Sequence, residues 1–277
     1  MRTELPYNER MSTVDDPSAR PGPVTGKAAT TMRSLSRALD VFEQLQRSDR
    51  PQRLSELARD CGISLPTTLR LLRVLQDYGL VSQTEKNYRI GPAVLPAARS
   101  FLENDPLVLA ARPILLQLAT QSQLTASLYS RLGYDRILIA RVDGTNPLRY
   151  DLPLGKRLPL TRGAAGKILI ANLGDAELEQ IAEVATGRRQ EEEPFDLAAL
   201  KLRLPAPEEG YAFSVDERAS GVMSAAVAVP HPSGTVTESI ALTTPVEAYA
   251  QEDLRAQVPE LRRAARRLSE LLEGVVY

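Results

Sequence analysis

Residues 53–91 read RLSELARDCGISLPTTLRLLRVLQDYGLVSQTEKNYRIG, and this stretch decides the first half of the fold. Leu54, Leu57, Ala58 and Cys61 recur at the i, i+3, i+4, i+7 spacing of one buried helix face. Gly62 stands where such a helix commonly ends in a left-handed residue. After the break at residues 62–65 comes Pro66, which lacks an N–H and so suits only the first turn of a second helix. That helix buries Thr68, Leu71, Leu72 and Leu75 and turns Thr67, Leu69, Arg70, Arg73 and Asp77 outward, until Tyr78 and Gly79 stop it. Residues 80–84, a polar turn at Glu85, Lys86 and Asn87, and residues 88–91 then form a two-stranded hairpin with cations near its tip.

Two short helices joined by a tight turn and followed by a hairpin make a winged helix-turn-helix, whose second helix enters the major groove of DNA. The DNA-contacting candidates are Ser64, Pro66, Thr67, Leu69, Arg70 and Arg73 on that helix, with Lys86 and Arg89 on the wing. The alternative is an αα-hairpin inside an all-helical core. The coincidence of turn, hairpin and arginines on the face that packing leaves free argues against it. Toward the N-terminus, Ser34 is a plausible N-cap for a helix burying Leu35, Ala38, Leu39, Phe42 and Leu45, which completes a three-helix core. Residues 1–31, rich in Pro, Ser, Thr and Gly without periodicity, read as a disordered arm.

The whole chain of 277 residues has a formal charge of −1, yet residues 32–91 hold ten Lys/Arg against seven Asp/Glu. That modest excess makes binding to DNA lean on dimerisation and specific contacts rather than bulk charge. A hydrophobic content of 43% and a charged content of 25% are those of a globular protein. One cysteine rules out a disulfide framework, and one histidine the usual zinc sites. No apolar run approaches the ~20 residues of a membrane span, and no signal-peptide core is present, so a cytoplasmic protein with no membrane partner is expected.

Beyond the wing, residues 92–105 read as a linker helix and residues 106–277 as a second domain. Its pattern runs from a long helix with Pro113 inside it to a strand pair over 125–142 and a strand plus loop over 149–160. Helices follow over 164–173, 175–186 and 197–204, with a solvated loop holding Glu191, Glu192 and Glu193 between the last two. Late strands at 222–229 and 236–243 flank a proline-rich turn with His231, and an amphipathic helix over 250–274 docks on the sheet. Interleaved strands and helices give an α/β (α+β) domain on an antiparallel or mixed sheet.

Catalysis finds little footing. There is no Gly-x-Ser-x-Gly elbow and no Cys/His pair, so neither enzyme activity nor a cofactor or metal is expected. Residues 163–167, GAAGK, lack the glycine spacing and the trailing Ser/Thr of a phosphate loop. The same run reads better as an anion site, because small residues at a helix start leave backbone N–H groups and the helix dipole open to a carboxylate. Arg131, Arg141 and Arg162 are candidate counter-charges.

SLSRALDVFEQL at 34–45, the core from Glu56 through TTLRLLRVLQDYGLV, and the YRIG wing together resemble the IclR family of bacterial transcription regulators. The resemblance extends through RYDLPLGKRLPLTRGAAGKILIA at 149–171 and GYAFSVDERASGVMSAAVAVPHPSGTVTESIALTTP at 210–245. It implies a GAF-like effector-binding domain behind the winged helix, and a homodimer or dimer of dimers on a pseudo-palindromic operator. It also implies operator binding tuned by a small acid, with effector contacts from Ala164, Ala165, Ser214, Ser224, Ala241 and Thr243. Some relatives carry an acid at 214, a cysteine at 224 and a serine at 241. The less polar set here favours an aromatic acid. The alternative is an IclR-like protein with small-molecule hydrolase activity in its second domain.

Overall fold

The computed structural model describes residues 28–145, 152–189, 197–206, 209–232 and 234–273. Residues 1–27 of the arm expected over 1–31, and the Glu191–Glu193 run, lie outside the described residues. The N-terminal unit comprises α1 (Ala28–Arg47), β1 (Gln52–Arg53), α2 (Leu54–Asp60), α3 (Leu65–Asp77), β2 (Val81–Thr84) and β3 (Asn87–Ile90). Both short helices close in the same way. Ile63 N–H donates to Ala58 O and Gly62 N–H to Arg59 O, with Gly62 at φ +64. After α3, Leu80 N–H donates to Leu75 O and Gly79 N–H to Gln76 O, with Gly79 at φ +68. In each case a glycine takes the left-handed position and the next apolar residue folds back on the core. Val41, Leu45, Leu57, Leu72, Leu75, Val81 and Tyr88 form that core.

Two expectations change here. Helix α1 begins at Ala28, so Ser34 lies inside it rather than capping it, and the stretch assigned to an arm contributes its first turn. Leu35 and Leu39 are more than half exposed, and Val41 takes the central buried place. The wing also gains a third strand. Gln52 pairs with Tyr88 and Arg53 with Asn87, a two-residue bridge too short to show a period in sequence.

Helix α4 (Val94–Asn104) buries no residue and leads into α5 (Pro106–Ser122), where the Asp105 side chain accepts from Val108 N–H at 3.0 Å. There follow β4 (Thr125–Leu132), β5 (Asp135–Val142), β6 (Arg157–Pro159), α6 (Ala164–Ile170), α7 (Asp175–Arg189) and α8 (Leu197–Arg203). The chain closes with β7 (Ala212–Val215), β8 (Val222–Ala228), β9 (Glu238–Pro245), α9 (Gln251–Ala256) and α10 (Val258–Glu273). The six strands form one sheet in the order β6-β5-β4-β9-β8-β7, and every neighbouring pair is antiparallel. Helices α5 and α10 bury Leu115, Leu118, Leu261 and Leu268 against one face, and α6 covers the other.

The single final helix expected over 250–274 is broken at Gln257. Pro259 has no N–H to continue the α9 ladder and fits only the opening turn of a new helix. Helix α6 ends at Ile170 rather than near 173, and α7 runs on to Arg189 through the first residues of the expected loop.

Candidate functional site

The outward face of α3 matches its periodicity. Arg70 and Arg73 are exposed, Thr67 and Leu69 half-buried, and Ser64 and Pro66 stand exposed at the helix start. Ser64 Oγ donates to Thr67 Oγ1 at 2.9 Å, and Thr68 Oγ1 to Ser64 O at 3.1 Å, which fixes the entry to the helix. On the wing, Lys86 sits in a two-residue turn and Arg89 on β3, both exposed. Glu85 takes the left-handed position of that turn (φ 57), held by a 2.8 Å bond from Gln83 Nε2 to Glu85 O. Cys61 is half-buried against this core, and burial pushes its thiol up to about 11, so it packs rather than reacts.

The N-terminal unit touches the large sheet through charge. Arg47 Nη2 meets Glu43 at 2.6 Å and Asp135 at 3.0 Å, and Arg157 reaches both acids from β6 at 2.5 and 3.6 Å. Lys156 pairs with Asp49 alongside. Asp135 opens β5 and is 3% exposed, so the end of α1 is tied to a buried strand position.

The six expected effector residues converge on the sheet face that α6 covers. Ser214 lies opposite Ser224, Ser224 opposite Thr243, and Thr243 opposite Thr125, a row of hydroxyls across four strands. Ala212, Ala226, Ala241 and Ser127 form the next row. Ser214 and Ser224 share a 2.9 Å hydrogen bond, and Ala164 and Ala165 close the face from above.

Two of the expected open donors, at Gly163 and Ala164, are engaged. Gly163 N–H donates to Glu217 Oε2 at 2.9 Å, and Ala164 N–H to Ser214 Oγ at 3.0 Å. Lys167, 5% exposed, turns back to Glu217 at 2.5 Å and to Phe213 O at 2.6 Å. The small residues have a packing reason as well. A Cβ on Gly166 would lie 2.3 Å from Leu160 O and 2.5 Å from Arg136 Nη1, and one on Gly163 would lie 3.2 Å from Arg136 Nη2. The expected counter-charges are likewise engaged. Arg131 pairs with Glu177 and Arg141 with Asp143, while Arg162 also has a partner.

The residue that sequence reasoning passed over is Arg136, 1% exposed beneath the start of α6. Its guanidinium lies 5.5 Å from the Tyr129 ring centre, and its Nη1 donates to Pro159 O. Burial, then the nearby Arg218, lowers its pKa to about 10, while Tyr129, Asp135 and Glu217 oppose the shift, so it stays charged at neutral pH. Burial also lowers Arg218, with Arg141 adding to the shift. The available signal was a lone arginine opening an apolar strand.

A winged helix-turn-helix joined to an antiparallel sheet domain defines a DNA-binding regulator. Comparison with known proteins agrees. Residues 34–85 match the IclR helix-turn-helix domain and residues 99–270 the C-terminal domain of bacterial IclR transcriptional regulators; the chain belongs to the IclR family. It is 29% identical over 259 residues to the HTH-type transcriptional repressor AllR of Salmonella paratyphi A, covering 91% of this chain and 94% of AllR. The fold matches an IclR family regulator from Brucella abortus (TM-score 0.75, 22% identity, 90% and 97% of the two chains). It also matches an IclR homolog from Microbacterium hydrocarbonoxydans complexed with 4-hydroxybenzoate (TM-score 0.61, 17% identity, 87% and 99%).

Proposed function

We propose that this chain is a transcriptional repressor that binds a pseudo-palindromic operator as a homodimer or dimer of dimers and responds to a small organic acid. The observation that carries the DNA reading is the exposed cationic face of α3 beside the Lys86–Arg89 wing, on a unit whose core is otherwise complete. The 29% identity to a repressor across nearly the whole chain favours repression over activation. Arg70 reaches a guanine edge or phosphate, Thr67 and Leu69 contact thymine methyls, and Ser64, Pro66 and Arg73 set the helix in the groove. Met32, Leu35 and Leu39 form an apolar row on α1 left exposed among the described residues, which suits a second copy.

The effector occupies the α6-covered face lined by Ala164, Ala165, Ser214, Ser224, Ala241 and Thr243. Its alanine-rich rows fit an apolar or aromatic body, with the hydroxyl row at one end. The hydrolase alternative finds no support in the relatives, which are repressors and regulators. The test is a mobility shift on the DNA upstream of the chain's own gene, with and without a panel of aromatic and short-chain acids. A shifted band that an acid reverses is expected. An acid-insensitive complex would remove the effector, and absence of a specific complex would remove the DNA reading.

A further inference from the structure

Arg136 is a buried cation whose carboxylate-binding edge is unused. Its one hydrogen bond runs from Nη1 to Pro159 O, which leaves the Nε/Nη2 side, the edge that pairs with carboxylates two bonds at a time. Nε is buried with no partner. A donor buried on a full charge and left unmade is costly unless something arrives to meet it. The acids nearby are already engaged: Glu217 with Lys167 and Gly163 N–H, Asp135 with Arg47 and Arg157. Arg218 starts close by, since a Cβ on Gly163 would lie 3.2 Å from Arg136 Nη2 and 3.9 Å from Arg218 Cβ, and its charge is felt at Arg136. Tyr129, whose ring faces Arg136, packs with Ala164, Ala165 and Ala241. Arg136 therefore borders the proposed effector face with one guanidinium edge unused, while Arg218 has a partner of its own.

We propose that the Nε/Nη2 edge of Arg136, with Arg218 beside it, is the receptor for the effector's carboxylate, and that it selects acids over neutral analogues of the same shape. This rests on the reading that an organic acid binds the α6-covered face. It assigns the charge recognition to β5 and the loop after β7 instead of to the Gly163 and Ala164 amides, which Glu217 and Ser214 already hold.

The experiment is calorimetry on the full chain with acetate, lactate, benzoate and 4-hydroxybenzoate, each beside its amide, paired with operator release by the same compounds. Wild type should bind at least one acid and discriminate against the matching amide. Arg136→Gln should lose about ten- to a hundred-fold in affinity for that acid, the range of a charge-assisted buried contact, and leave the amide's weak binding unchanged. Arg218→Gln, at a less buried position, should lose less and tests the pair even if the first variant does not fold, which circular dichroism would reveal. Acid affinity retained in either folded variant, or equal losses of acid and amide, would overturn the assignment while leaving the effector reading intact. Neither binding nor operator release by any acid in wild type would overturn the effector reading, and the assignment with it.

Discussion

The cations on α3 and the wing and the cations beneath α6 have the same side chains in opposite surroundings. Arg70, Arg73, Lys86 and Arg89 stand in water, each free to meet a phosphate or a base edge. Arg136 is 1% exposed and Lys167 5%, both held by a carbonyl, a ring or a carboxylate inside the protein. An exposed charge costs the fold almost nothing and acts on whatever approaches. A buried one is part of the fold and acts only on a ligand that replaces its lost water. The exposed cations of α3 and the wing can therefore change residue by residue without harm to stability, whereas the buried ones beneath α6 cannot.

The sharpest test of that contrast is the buried pair. Glu217→Ala should cost about 3–5 kcal/mol in urea unfolding, because it leaves the buried Lys167 charge without its counter-ion, with the Phe213 carbonyl its one remaining acceptor, and the Gly163 N–H without its acceptor. Adding Lys167→Met should recover much of the loss. A cost under ~1 kcal/mol for the single variant would mean that water already reaches this pair. On the DNA side, Arg70→Ala should leave unfolding unchanged and weaken the specific complex by about 1–3 kcal/mol in a mobility-shift titration, if it reads a base. Unaltered affinity and selectivity would take Arg70 out of the readout.

The wing should behave differently from α3. Replacing Lys86 and Arg89 with alanine should weaken binding to all sequences alike and lower the slope of log K against log salt by about one per charge. A loss confined to the cognate operator would show that the wing reads bases. The smallest effect concerns Glu56, which accepts Arg53 N–H at 2.7 Å and pairs with Arg50. The hydrogen bond from Arg50, then that from Arg53 N–H, holds its carboxyl down at about 2 against an ordinary 4.5. Its contribution to the start of α2 is thus fully present above about pH 4.5 and fades as pH falls toward 2. Amide exchange in the first turn of α2 should quicken over that window, and Glu56→Gln should abolish the dependence.

How far each region could be read in sequence follows the same division. On α3, Thr68, Leu72 and Leu75 announce the buried face at helical spacing, so Arg70 and Arg73 on the other side follow directly. On β5 the alternation of RILIARV places Arg136 and Arg141 on opposite faces. A bulge between the Leu128–Ala140 and Tyr129–Leu138 pairs inserts Ile139 and brings Arg136, Leu138 and Arg141 to one face. Local period cannot show such an insertion, because it is defined only against the partner strand. The amides of GAAGK are a similar case. Their smallness is visible in sequence, but their engagement by Ser214 and Glu217 depends on residues about fifty positions away.

The amino-acid sequence by itself determined the winged helix-turn-helix, its Gly62 and Gly79 stops, the outward cations and the family, because these rest on contacts within a few residues and on motif order. Tertiary structure decided the third wing strand, the exposure of Leu35 and Leu39 and the burial of Arg136. These depend on which distant surface arrives to cover or pair with a residue. Arg136 shows it most plainly. Its charge is written in the chain, but its loss of water exists only once Tyr129, Pro159 and α6 have closed around it.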